Sequence, residues 1–123
     1  MTPIRFTVPG LPRPKERPRF GQGRAYTPEK TRKYEEEVWW MAYGAGLRQD
    51  SLRGQFLKVT ILAHLGWTLE DVLHADSDNL AKGILDGCKP AFNDAYVVEL
   101  RVVKARGEPR CEVTIETIEG ETL

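Results

Sequence analysis

Cysteine and histidine are scarce in this chain, neither sign of charge is in excess, and long apolar runs are missing. Only two cysteines, Cys88 and Cys111, occur in 123 residues, both among apolar neighbours. That excludes a disulfide-stapled scaffold, and both are expected to be reduced thiols. The two histidines, His64 and His74, have no Cys pattern beside them, which argues against a zinc site. Both are expected on the surface or in a loop. No apolar run approaches the ~20 residues of a membrane-crossing helix, and the opening MTPIRFTVPG lacks a signal-peptide core. A soluble, cytoplasmic protein without a membrane partner is expected. Its length predicts a single domain over residues 1–123, burying roughly two-thirds of its unfolded surface.

The balance of 18 basic and 18 acidic residues conceals a strong polarity. Up to Tyr34 there are nine basic residues (Arg5, Arg13, Lys15, Arg17, Arg19, Arg24, Lys30, Arg32 and Lys33) against Glu16 and Glu29, a net of +7. The other nine basic and sixteen acidic residues give the remainder a net of −7. Exposed arginines are ordinary, but this set, with Phe20 and Tyr26 interspersed, suits phosphate. Guanidinium forks match phosphate oxygens, and aromatic rings stack on unpaired bases. Arg13, Lys15, Arg17, Arg19, Arg24, Lys30, Arg32 and Lys33 are therefore the candidate DNA-binding residues.

Ile4 to Val8 alternates as a first strand. The Pro- and Gly-rich segment at about 10–25 is expected to be an extended basic surface loop. Thr27 can cap a helix with Pro28 in its first position, and Tyr34, Val38, Met41 or Ala42, and Ala45 mark its buried stripe. Trp39 and Trp40 cannot both face the core, so at least one is expected at its edge or in a subunit contact. Leu57, Val59, Ile61 and Ala63 alternate in a second strand, and His64 to Ala75 reads as a loop. Asp78 can cap a second helix, NLAKGILDGC, closed by Lys89-Pro90. AYVVELRVVKA and CEVTIETI read as two more strands, expected to form a hairpin around RGEP. The order β-α-β-α-β-β predicts an α+β fold: a small mixed sheet packed with two main helices.

The chemistry concentrates in HADSDNLAKGILD. Asp76 and Asp78, two residues apart in an extended helix entry, can turn toward one point. Lys82 lies one turn beyond Asp78, and Asp94 comes immediately before the third strand. Taken singly, Asp78 serves equally as a helix cap and Asp94 as a turn residue. Together they assemble the oxygen-rich shell that Mg²⁺ prefers, since like charges gathered at one place call for a cation. Such a site suits phosphodiester hydrolysis, with Lys82 offsetting transition-state charge. The glycines of FGQGRAYTP lack the following GKS or GKT of a phosphate loop.

VPGLPRPKERPRF, AYTPEKTRKYE, DSDNLAKGILD and NDAYVV together resemble the RusA family of Holliday junction resolvases, over most of the chain. The resemblance implies a homodimeric, Mg²⁺-dependent endodeoxyribonuclease, also able to use Mn²⁺, that resolves four-way DNA junctions by paired symmetric nicks in recombination and repair. It implies Asp76, Asp78 and Asp94 as metal-binding catalytic acids, Lys82 as the motif lysine, and Asn79 and Asp86 as supporting positions. A bacterial cell or phage-infected host is the implied setting. Asn93 departs from the family's usual pair of acids, and Pro90 shortens the link from helix to strand. Two other readings stay open: a less selective branched-DNA or flap nuclease, and a catalytically inactive DNA-binding phage accessory protein. For the dimer interface, Trp39, Trp40 and the outer faces of the sheet are the candidates.

Overall fold

Period-two alternation builds the sheet. The computed structural model describes residues 2–14, 19–21, 24–26 and 28–119, with backbone alone for 19–21 and 24–26. In β1 (Ile4–Pro9), Phe6 and Val8 are buried while Arg5 and Thr7 are exposed. Inside the segment expected to be a loop, β2 (Arg19–Gly21) and β3 (Arg24–Tyr26) pair antiparallel, with Phe20 opposite Ala25. The prolines stop at Pro18, so RFGQGRAY keeps the amide protons that a pair of strands needs.

Helix α1 (Glu29–Gly44) buries Thr31, Tyr34, Val38 and Ala42. Pro28 is its N-cap rather than its first helical residue, with an extended backbone and a carbonyl that accepts from Arg32 N–H at 3.1 Å. Ala42, not Met41, continues the stripe. Ala45 is the exposed C-cap, and Gly46 turns the chain at φ +113°, where glycine carries no steric penalty. Trp39 packs at the core's edge, while Trp40 is 63% exposed.

Strand β4 (Leu57–Gly66) buries Leu57, Val59, Ile61 and Ala63, and runs two residues further than its last alternating pair. His64 lies in this strand rather than in a loop. Its Nε2 and a Glu112 carboxylate oxygen are 2.8 Å apart. Residues expected to be irregular then form α2 (Leu69–Leu73). Helix α3 (Ser77–Gly87) buries Leu80, Ala81, Ile84 and Leu85. Its N-cap is Asp76, so Asp78 sits in the first turn instead of capping it. Cys88 ends the helix just before Lys89-Pro90.

A 3₁₀ turn (Asp94–Tyr96) leads into β5 (Val97–Ala105), and β6 (Gly107–Thr117) ends the described chain's secondary structure. The four-stranded sheet has the order β1-β6-β4-β5. β5 runs parallel to β4, while β6 lies antiparallel between β4 and β1. The expected hairpin of the last two strands is therefore absent. The crossover through α3 brings β5 alongside β4 in parallel, and Cys111, Val113 and Ile115 give β6 the buried row of a central strand. The α+β class holds: a mixed four-stranded sheet with helices interleaved as β-α-β-α-β-β.

Both long helices lie on one face of the sheet, where Val38, Ile84, Val59, Ile61 and Val113 join one core. Each such side chain contributes about 1.5–3 kcal/mol by leaving water. Glycine lets the two helices meet, since a Cβ at Gly87 would fall 2.6 Å from Val38 Cβ and Cγ1. Cys88 and Cys111 are buried and unpaired. Burial pushes the Cys88 thiol up to about 12. Burial also raises Cys111 to about 11, opposed by the Tyr34 hydroxyl, which donates to its Sγ at 3.7 Å. Among the described residues, no helix is long and apolar enough to cross a membrane.

Candidate active site

Local hydrogen bonding delivers the aspartates. Beyond β4, Thr68 caps α2: its hydroxyl accepts from Asp71 N–H, and an Asp71 carboxylate oxygen accepts from Thr68 N–H, both at 3.1 Å. Hydrogen bonds to the carboxyl from Thr68, its backbone N–H first and then its side chain, hold Asp71 below its usual range. The pair Thr68 and Asp71 is a capping-box pattern visible in the sequence, a signal sufficient to find α2. Gly66, at φ +131°, makes room for that carboxylate, because a Cβ there would collide with the Asp71 side chain.

Three residues past α2 the chain reaches Asp76. Its backbone is extended (φ −78°, ψ 136°), and its carboxylate makes no capping hydrogen bond. The N-cap position usually commits a side-chain oxygen to the helix amides; here that oxygen is left for another partner. Asp76 and Asp78 are both exposed, Asn79 is half-buried between them and the core, and Lys82 is exposed one turn on. Acidic groups at this end of α3 also complement the helix dipole.

The remaining predicted residues lie elsewhere. Asp86, at the far end of α3, is 7% exposed at its side chain and pairs with Lys89 at 3.3 Å. Asp94 comes after that same end. Asn93 Oδ1 accepts from Ala95 N–H at 2.9 Å, so the residue that departs from the acidic pattern caps the 3₁₀ turn in which Asp94 stands. Asp94 lines a cleft of about 480 Å³ with Asp50, Arg53 and Lys89. Eleven helical residues, about 16 Å of axis, thus separate Asp94 from the Asp76 end. Among the described residues, no three acids, histidines or cysteines lie close enough to share a metal ion.

A second cleft of about 480 Å³ leads to the Asp76 turn. Arg13 and Lys30 line it on one side and Glu70, Asp71, His74 and Ala75 on the other. Arg13, Lys30, Arg32 and Lys33 are exposed, and Lys33 pairs with Glu29 one turn earlier at 3.3 Å. The Arg13 backbone is seated close to α3: a Cβ at Gly83 would stand 3.0 Å from its carbonyl oxygen. Lys15 and Arg17 lie outside the described residues, as do the side chains of Arg19 and Arg24.

One cation near the acids escaped sequence reasoning. Lys104 Nζ donates to the Ala75 carbonyl at 2.9 Å, one residue before Asp76. Its signal was there, a lone charge on the same parity as Leu100 and Val102.

Comparison with curated proteins gives no match. The family model described as endodeoxyribonuclease RusA matches residues 9–116, from the end of β1 almost to the end of β6, and takes in all three aspartates and both clefts. A family of nucleases carries with it an enzymatic, DNA-cleaving role in general terms. On a match covering nearly its whole length, the chain belongs to the RusA family of endodeoxyribonucleases.

Proposed function

We propose that this protein is a homodimeric, Mg²⁺-dependent, structure-selective endodeoxyribonuclease that resolves four-way DNA junctions by paired nicks. The observation that carries the reading is the separation of the acids. At one end of α3 Asp76 makes no capping hydrogen bond and Asp78 is exposed, and Asp94 stands at the other. Within one chain the donor set is all oxygen, which fits Mg²⁺, but it amounts to two acids of the three. A second copy arranged two-fold symmetrically supplies the third: Asp94 of the partner subunit joins Asp76 and Asp78, and the exchange is reciprocal. Two centres per dimer match two strands to be cut.

When bound, Mg²⁺ or Mn²⁺ lowers the pKa of an attacking water and offsets charge on the phosphate. Asp76, Asp78 and the partner subunit's Asp94 would hold the ion. In the reaction, water oxygen forms the new bond to phosphorus, the bond to O3′ breaks, and O3′ takes up a proton, leaving 5′-phosphate and 3′-hydroxyl ends. Lys82, exposed on the face of α3 that follows Asp78, neutralises charge that grows on the phosphate oxygens. Arg13 and Lys30 bind backbone phosphates in the cleft that leads to Asp76.

The test is cleavage of a synthetic four-way junction with and without Mg²⁺, beside linear duplex and a flap. Paired nicks confined to the junction and abolished by Asp78→Asn are expected. Equal cutting of the flap would support the less selective nuclease, and salt-dependent binding without turnover the inactive DNA-binding protein.

A further inference from the structure

Along β5, Leu100, Val102 and Lys104 share one parity, in register with Val59, Ile61 and Ala63 of β4. Val102 packs against the core on the side where the helices lie, and Lys104 shares its parity. A lysine on that side is costly unless its head group finds an acceptor. Lys104 is half-buried, and its ammonium donates to the Ala75 carbonyl oxygen at 2.9 Å, across 29 positions of sequence. Helix electrostatics does not account for a cation here, since the N-terminus of α3 repels positive charge.

What the contact fixes follows from covalent geometry. The Ala75 carbonyl and the Asp76 N–H belong to one planar peptide unit, so a bond to the first immobilises the second. Ala75 is itself buried. On the other side, the Asp76 carbonyl accepts from Leu80 N–H at 3.1 Å. Asp76 is therefore held between two anchored peptide planes while its carboxylate makes no capping hydrogen bond. Rotation of the Ala75–Asp76 plane would swing the Cα–Cβ bond of Asp76 away from Asp78. Mg²⁺ tolerates little of that, because it demands near-ideal octahedral geometry.

We infer that Lys104 is a positioning residue: it clamps the Ala75–Asp76 peptide so that the Asp76 carboxylate is presented beside Asp78. This rests on the proposed reading that these two acids hold the metal. The clamp joins the end of the edge strand to the helix entry, so the metal-binding turn takes its orientation from the sheet.

Lys104→Met keeps the length of the side chain and removes the donor; Lys104→Arg keeps donor and charge. Three measurements are made on the full chain: amide hydrogen exchange without metal, Mn²⁺ titration, and junction cleavage against Mg²⁺ concentration. In the Met variant, exchange at residues 76–80 should rise and half-saturating Mn²⁺ and Mg²⁺ should increase about tenfold or more, as for the loss of other outer partners of metal ligands. Exchange in β1 and β6 should stay unchanged, and Arg should restore most of the metal response. The inference is overturned if the Met variant stays within about twofold of wild type in both exchange and metal response, the lower bound for losing such a partner being about tenfold. It is equally overturned if exchange rises throughout the sheet, as general loosening of the core requires, or if wild type binds no Mn²⁺. Wild type that binds Mn²⁺ and cleaves no junction would overturn the proposed function instead, and exchange and titration would still decide the role of Lys104.

Discussion

Asp76 and Asp94 stand at opposite ends of α3, so a single chain keeps its acids apart. Asp78→Asn and Asp94→Asn should each be inactive alone and should complement when the subunits are mixed. In the mixed dimer one centre collects both substitutions and the other collects neither. With random exchange half the dimers are mixed, and recovery of about a quarter of wild-type nicking is expected, as single nicks. A centre built within one chain would recover nothing.

Arg13 and Lys30 line the cleft that leads to the Asp76 turn, and both are exposed. On the proposed reading each would contribute affinity by releasing counterions from a phosphate. Replacing either with Ala should lower the slope of log affinity against log salt by about 0.9 for duplex arms, uniformly across DNA sequences. Binding titrations at several salt concentrations read this directly, and the melting temperature should not move. An unchanged slope would remove the residue from the interface.

Gly87 is where the two long helices touch. A methyl group there would stand 2.6 Å from Val38 Cβ and Cγ1 and 3.0 Å from the Glu35 carbonyl oxygen. Alanine normally favours a helix over glycine by ~1 kcal/mol, but overpacking costs about 1–3 kcal/mol, and in this contact the second effect wins. Gly87→Ala should be destabilising in urea unfolding, and Val38→Ala in the same chain should not rescue it, because the Val38 Cβ and the Glu35 carbonyl oxygen stay in the way.

Alkaline pH should unfold the protein early. Burial holds both thiols in the neutral form, Cys111 to about 11 and Cys88 to about 12, against an ordinary value of 9.0. Burial also raises the Tyr34 hydroxyl well above its usual range. Above pH 9 the unfolded chain releases protons that the folded chain keeps, so this stabilisation is whole below pH 9 and is lost as pH climbs through 11 to 12. The limiting slope is about 1.4 kcal/mol per pH unit for each thiol. Urea midpoints across this range should fall less steeply for Cys88→Ala than for wild type.

The long strands and the two long helices were legible in the residues; the short β2, β3 and α2 and the pairing of the strands were not. Alternation in Leu57–Ala63 and Cys111–Ile115 marks buried strands, because a buried face leaves a period of two. It carries no information about neighbours. Sequence proximity suggested a hairpin between β5 and β6, whereas the crossover through α3 brings β5 to one side of β4 and leaves β6 the other. The same topology explains Asp94: its motif is recognisable, but its distance from Asp76 depends on a helix running between them. Lys104 was missed for a related reason, since its partner is 29 positions away and reached only across the sheet.

β6, which follows the other described strands in sequence, is a central one, with β1 on one flank and β4 on the other. As synthesis proceeds, β1 has no partner in the four-stranded sheet until β6 has emerged, and β4 has only β5. Pairing of β1 into the sheet must therefore wait for β6, with the slow kinetics of distant strand pairing. A chain stopped short of Thr117 would leave β1 detached, and with it the tether of the basic segment that follows. A prematurely terminated product should then be cleared as unfolded chain rather than persist as a competitor that holds DNA without cutting it.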